Sequence, residues 1–154
     1  MRISYAETEA DVSEMRALFV EYQEWLGVDL CFQGFEAELR DLPGKYAPPR
    51  GRMLLVRDGE RAAGCVAFCP LEEDGVCEMK RLYVRAEWRG TGLGKRLAER
   101  IVDEARAAGY SRMRLDTLSH LDAAIGIYRT MGFREIEAYY HNPEEGAVYM
   151  ELDL

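Results

Sequence analysis

The spacing of apolar side chains divides the chain into short strands and amphipathic helices. Ile3 and Tyr5 alternate with Arg2, Ser4 and Ala6, which predicts an opening strand over Arg2 to Ala6. From Asp11 the period lengthens. Val12, Met15, Leu18, Phe19, Tyr22, Trp25 and Leu26 recur at three- and four-residue steps, placing them on one face of a helix that Gly27 can end. Phe35, Leu39 and Leu42 predict a second, shorter helix, stopped by Pro43-Gly44 and followed by the irregular Pro48-Pro49-Arg50-Gly51. The apolar runs Met53 to Val56 and Ala62 to Cys69 flank Asp58-Gly59 and read as a hairpin with a turn of two residues or more. After a turn at Glu72-Glu73-Asp74-Gly75, Val76 to Val84 is the third strand of this meander.

The second half changes character. Leu97, Ile101, Ala105 and Ala108 form the apolar side of a helix whose other side carries Lys95, Glu99, Arg100, Asp103, Glu104 and Arg106, with Gly109 as its stop. Met113 to Thr117 then predicts a strand beside Val76 to Val84, joined by that helix in a right-handed crossover. A further helix spans Asp122 to Met131, with Ile125, Tyr128 and Met131 on a common side. Arg134 to Tyr140 and Ala147 to Leu152 read as closing strands. The pattern predicts an α/β fold with a mixed sheet, antiparallel in its first half with one parallel βαβ crossover in its second, in a single domain over 1–154.

Composition narrows the chemistry. At 154 residues and 48% hydrophobic, the chain suffices for one buried core. Its net charge of -8, from 28 acidic and 20 basic residues, gives no general attraction for nucleic acid or an anionic membrane. No apolar run nears the roughly 20 residues that cross a bilayer, and the first residues turn acidic where a signal peptide would be apolar, so a cytoplasmic location is expected. Cys31, Cys65, Cys69 and Cys77 form no C-x-x-C pair and His120 and His141 lie far from them. We therefore expect small buried thiols and no metal.

The stretch V-R-A-E-W-R-G-T-G-L-G-K, Val84 to Lys95, carries the chemistry. Gly90, Gly92 and Gly94 lie between a strand and a helix, where backbone N–H groups can reach a phosphate unobstructed and the helix dipole favours an anion. A nucleotide-hydrolase loop would need Gly at Arg89 and Ser or Thr at Arg96, so it is excluded. A dinucleotide fingerprint would need its third glycine at Lys95 or Leu97, and that fails too.

What matches is Arg/Gln-x-x-Gly-x-Gly/Ala at Arg89, Gly92 and Gly94. Together with M-K-R-L-Y-V before it and A-A-I-G-I-Y-R-T-M-G-F at Ala123 to Phe133 after it, this resembles the GNAT family of N-acetyltransferases. The resemblance implies that acetyl-CoA, the acyl donor, lies with its pyrophosphate over Arg89, Gly90, Thr91, Gly92, Leu93, Gly94 and Lys95. Main-chain groups of Leu82, Tyr83 and Val84 would meet its pantetheine arm. It implies Tyr128 as proton donor to the departing thiolate and Glu78 as the carboxylate that takes a proton from the amine. Transfer would be direct, to a small-molecule or peptide amine, without an enzyme nucleophile. Two alternatives stay open: an acyltransferase with another acyl donor or acceptor, and a non-catalytic acyl-CoA binding or sensing module. A homodimer is common among such proteins. Many members carry Asn where this chain has Leu121, so Ser119 or Asp122 would have to substitute, while His120 reads as a loop residue. The acceptor pocket would be walled by the first two helices and the final hairpin, with Trp25, Phe32, Tyr139, Tyr140 and His141 as its candidates.

Overall fold

The computed structural model describes residues 1–154, the side chain of Phe32 excepted. Seven strands form one sheet: β1 (Arg2–Tyr5), β2 (Arg52–Asp58), β3 (Arg61–Pro70), β4 (Val76–Val84), β5 (Arg112–Leu118), β6 (Arg134–Ile136) and β7 (Ala147–Asp153). Their order is β1-β2-β3-β4-β5-β7-β6, and β4 with β5 is the parallel pair in an otherwise antiparallel sheet. The predicted mixed sheet and crossover are therefore what the chain forms. The β2–β3 turn is the two-residue kind, with Asp58 paired to Arg61 and Gly59 at φ 62° in its first central position.

Four helices cover the sheet: α1 (Glu9–Leu26), α2 (Phe35–Asp41), α3 (Leu93–Ala107) and α4 (Asp122–Thr130). The first starts ahead of the predicted Asp11 because Thr8 and Asp11 cap it reciprocally: Thr8 Oγ1 accepts from the Asp11 N–H at 3.1 Å and Asp11 Oδ2 accepts from the Thr8 N–H at 3.3 Å. On α1, Met15, Leu18 and Phe19 are buried with Met53, Leu55, Cys65 and Ala67 on one face of the sheet. On α3, Leu93, Leu97, Ile101 and Val102 are buried with Leu54, Val56, Val66 and Phe68 on the other. Each such side chain contributes roughly 1.5–3 kcal/mol through removal from water. Ala108, predicted in the α3 stripe, is exposed past the helix end, where Leu93 and Val102 replace it in the core.

Two expectations need correction. The strand predicted over Arg134 to Tyr140 ends at Ile136, because this outermost strand pairs only with β7 and its tyrosines turn inward instead. Cys31 is exposed rather than buried, in the short turn after α1, whereas Cys65, Cys69 and Cys77 are buried as expected.

Candidate active site

The site originates in a fault in β4. Lys80 pairs with Ala67 and Tyr83 with Cys65, so Arg81 and Leu82 together oppose the single residue Val66. Arg81 takes up the extra residue at φ 62°, a left-handed conformation costing a non-glycine residue roughly 1–2 kcal/mol. It is held there by Glu38 of α2, which accepts from Arg81 Nε at 3.0 Å and from its NH2 at 2.9 Å, and by Gln33 Oε1, which accepts from NH1 at 2.9 Å. Gly64 lies beside the fault because a Cβ there would come within 2.5 Å of the Tyr83 carbonyl oxygen.

Two consequences follow from the bulge. First, it reverses the parity of β4: Cys77 and Met79 pack toward α3 before it, Leu82 and Val84 after it, so Glu78, Lys80, Arg81 and Tyr83 all face α1 and α2. Second, β4 bends away from β5. The strands pair at Val76–Arg112, Cys77–Met113 and Glu78–Arg114 and then diverge, leaving main-chain groups of Leu82 to Val84 along an edge without a strand partner.

The glycine loop sits at the end of this edge. Gly90 and Gly92 have φ of 78° and 83°, and Gly92 caps α3 without a side-chain bond. Among the described residues, none of the backbone N–H groups from Gly90 to Lys95 has a hydrogen-bond partner. A Cβ at Gly90 or Gly92 would meet nothing within 4 Å, so the loop is uncrowded at these two positions. Thr91 does not compete for the row, since its hydroxyl donates back to the Trp88 carbonyl at 2.6 Å. Arg89 Nε donates to the Val84 carbonyl at 2.9 Å, and its guanidinium lies over the rings of Trp25 and Tyr83 at 4.9 and 5.7 Å. This explains why Trp25, predicted in the core, is 46% exposed.

Between the splayed strands runs a narrow cavity of about 80 Å³, bordered by Leu82 of β4, Asp116 of β5, Tyr22 and Trp25 of α1, Leu121 just ahead of α4 and Tyr128 within it. Tyr128 is 6% exposed, and among the described residues its hydroxyl has no hydrogen-bond partner. Burial pushes its phenol well above the usual value, so it stays protonated at neutral pH. Leu121 borders the cavity with an apolar side chain, while Ser119 and Asp122 are exposed. The polar side chains at the gap are instead Asp116, Thr117, Asn142 and Glu144, with Gln33, Lys80 and Arg81 on the α1 and α2 side.

Glu78 lies elsewhere. It borders a second, open cavity of about 590 Å³ on the α2 face, with Lys80, Arg114, Tyr139 and Tyr140. Its Oε2 accepts from the Tyr139 hydroxyl at 2.6 Å and its Oε1 lies 3.4 Å from Lys80 Nζ. Lys80 and Gln33 border both cavities, and Lys80 Nζ donates to Gln33 Oε1 at 3.0 Å, so this pair forms the wall between them. Tyr139 and Tyr140 thus stand where an acceptor pocket was expected, and Trp25 borders the inner cavity. His141 is exposed and borders neither of the two. Phe32 lies outside the described side chains.

Sequence reasoning missed Asp116, Gln33 and Lys80. Alternation along β5 does place Arg112, Arg114 and Asp116 on one face, away from Met113 and Leu115 in the core. Which of these reaches the gap is set by where β4 leaves, and the sequence does not mark that point.

The comparisons agree with this architecture. An uncharacterized N-acetyltransferase of Schizosaccharomyces pombe is 44% identical over 153 residues, spanning 99% of this chain and 94% of the relative. A solved structure from Klebsiella pneumoniae, assigned as an acyl-CoA N-acyltransferase, superimposes with a TM-score of 0.76 at 31% identity, covering 99% of this chain and 97% of that one. A Salmonella typhimurium structure with acetyl-CoA bound shares the fold at TM-score 0.69 and 22% identity, over 99% and 92% of the two chains. Since the model of the acetyltransferase (GNAT) family matches residues 12–133, more than half of the sequence, the chain belongs to that family.

Proposed function

We propose that this protein transfers the acetyl group of acetyl-CoA directly to a primary amine. The observation that carries this reading is the row of unpartnered N–H groups from Gly90 to Lys95 at the start of α3, which follows on the unpaired β4 edge whose Leu82 borders the same gap as Tyr128. Such a row at a helix start suits a pyrophosphate, with Arg89 and Lys95 adding positive charge beside it. The unpaired edge of Leu82, Tyr83 and Val84 suits an extended amide-bearing arm, although the Val84 carbonyl is already taken by Arg89. Acetyl-CoA would supply an activated thioester. A main-chain N–H of β4 would polarise its carbonyl, a contribution on the order of 10²-fold or more in rate.

Tyr128 then serves as proton donor to the leaving sulfur. Its burial keeps the proton on the phenol until a thiolate develops beside it. The amine approaches from the α1 and α2 face, opposite α3 and α4, and a carboxylate on that face takes its proton. Glu78 faces that side and reaches the outer cavity. Two measurements test the reading together: calorimetric titration with acetyl-CoA, and thiol release across a panel of amines. Binding with turnover is expected. Binding without turnover of any amine would make the protein an acyl-CoA sensor, and absence of binding would remove the family's donor from this site.

A further inference from the structure

We infer that Asp116 is the residue that receives the acceptor's ammonium group and takes its proton, and that the acceptor carries this ammonium on an uncharged apolar stem. The inference rests on the acetyl-transfer reading above and assigns its acceptor site.

The argument begins with charge balance among the carboxylates around the gap. Glu38 has Arg81 at 2.9 Å and Lys45 at 3.3 Å. Glu78 has Lys80 at 3.4 Å, and Glu151 has Arg114 and Arg134, each at 2.8 Å. Asp116 differs. Its Oδ2 accepts from the Tyr140 hydroxyl in a short contact and from Asn142 Nδ2 at 3.0 Å, both neutral donors. Among the described residues no cationic nitrogen lies within 4.0 Å of it, and its Oδ1 has no donor. A half-buried carboxylate fixed by neutral groups, with one oxygen unengaged, is arranged to accept a cation from outside the protein.

Position agrees with charge. Asp116 lies two residues beyond Arg114, the last β5 residue paired with β4, so it stands where the strands have separated. It borders the same cavity as Tyr128, which is 94% buried and whose hydroxyl lacks a partner. Glu78 sits at the last paired position and opens into the outer cavity, behind Lys80 and Gln33. Tyr140 fixes Asp116 in turn: its hydroxyl donates to the carboxylate and accepts from Gln33 Nε2 at 3.0 Å. Tyr22, Trp25, Leu26, Val28 and Leu30 give this side an apolar or aromatic surface that suits an alkyl or aryl stem, while Lys80 and Arg81, which also border it, are already paired with Glu78 and Glu38. The Tyr22 phenol is pushed by burial up to about 12 and stays neutral.

The protons balance as follows. Asp116 takes one proton from the ammonium, which frees the nitrogen lone pair. The N–C bond forms at the acetyl carbonyl as the C–S bond breaks, its electron pair leaving on sulfur. Tyr128 gives its proton to sulfur and recovers the second proton lost by nitrogen as it becomes an amide. The proton on Asp116 passes to solvent, so one proton is released per turnover.

The test uses hexylamine as acceptor, with initial rates of thiol release and calorimetric acetyl-CoA affinity measured for wild type, D116N, D116E and E78Q. Removing a proton-accepting group costs about 10²-fold or more. D116N is expected to bind acetyl-CoA like the wild type, to lose about 10²-fold in kcat and to show a raised KM for hexylamine. D116E, which keeps the charge, should recover part of that loss, and E78Q should lose less than D116N. A D116N rate equal to wild type overturns the inference, as does a larger loss in E78Q. Failure of the wild type to use hexylamine while binding acetyl-CoA overturns the acceptor class. Failure to bind acetyl-CoA is a separate result, which removes the acetyl-transfer reading and this inference with it.

Discussion

Replacing Glu38 by alanine tests whether the β4 bulge is held by its buried ion pair. The Arg81 and Glu38 side chains are 3% and 4% exposed, and two hydrogen bonds of 2.9 and 3.0 Å join them. Truncation leaves the guanidinium buried with only Gln33 Oε1 as an acceptor, and breaking such a pair costs roughly 3–5 kcal/mol. Against a typical total stability of about 5–15 kcal/mol this is a large fraction. At roughly 2–4 °C per kcal/mol for a chain of this size, Tm should fall by about 6–20 °C. The loss should also depend on pH. Burial pushes the Glu38 carboxyl up, but the Arg81 hydrogen bonds and charge, with Lys45 and Lys80, outweigh it and hold the group below its ordinary value. A depressed folded pKa stabilises fully above the unfolded value of about 4.3 and is lost as pH falls through the folded one. Thermal melts followed by circular dichroism at neutral pH and in acid should therefore show the gap between wild type and E38A narrowing as pH drops. A loss under about 1 kcal/mol at neutral pH, or a gap that acid leaves unchanged, would refute the reasoning.

Three further outcomes are expected. Y128F should lower kcat by about 10²-fold or more while acetyl-CoA affinity, read by calorimetry, is retained. G92D should abolish measurable acetyl-CoA binding, because it places a side chain at φ 83° and a negative charge amid the N–H row; tight binding would remove the phosphate role of the loop. In alkylation read by intact mass, the folded protein should gain one adduct, at Cys31, and four after denaturation. Burial pushes the Cys69 and Cys77 thiols up to about 11 and about 12, and that of Cys65 higher, whereas Cys31 is exposed.

The parts of the site that sequence revealed are those where backbone geometry dictates residue type. Gly90 and Gly92 adopt left-handed φ at a helix start, which few other residues tolerate, so the loop was legible. The crossover was legible too, because the stripe from Leu97 to Ala105 lies between two strand-like runs. The bulge was not, since it uses Arg81 where glycine would have marked the same conformation. In retrospect its trace is the parity change from Cys77 and Met79 to Leu82 and Val84, visible only once those residues are known to share a face. Without it the orientation of Glu78 could not be settled. Asp116 was hidden for a different reason: its partners Tyr140 and Asn142 come from the irregular segment after Ile136, where no period fixes which side chains turn inward. Tyr139 and Tyr140 were legible as acceptor-pocket candidates, but a continuing strand over that segment gives no sign that they bond Glu78 and Asp116.

The divergence of β4 from β5 gives one gap two faces of opposite character. At the start of α3 stand Lys95 and the free N–H groups, with the Arg89 guanidinium reaching over Trp25 and Tyr83 beside them, a local concentration of positive potential in a chain of net charge -8. Toward α1 and α2 stand Asp116 and Glu144, which have no cation partner among the described residues, whereas Lys80, Arg81 and Arg114 on that face are paired with Glu78, Glu38 and Glu151. In the acetyl-transfer reading proposed above, an anionic donor would enter beside the α3 start and a cationic acceptor from the α1 and α2 side, the two meeting through the gap. Among the described residues no serine, cysteine or histidine borders the inner cavity. The proposed direct transfer needs both substrates bound at once, and the strained Arg81 lies at the β4 bulge, just past the last residue paired with β5.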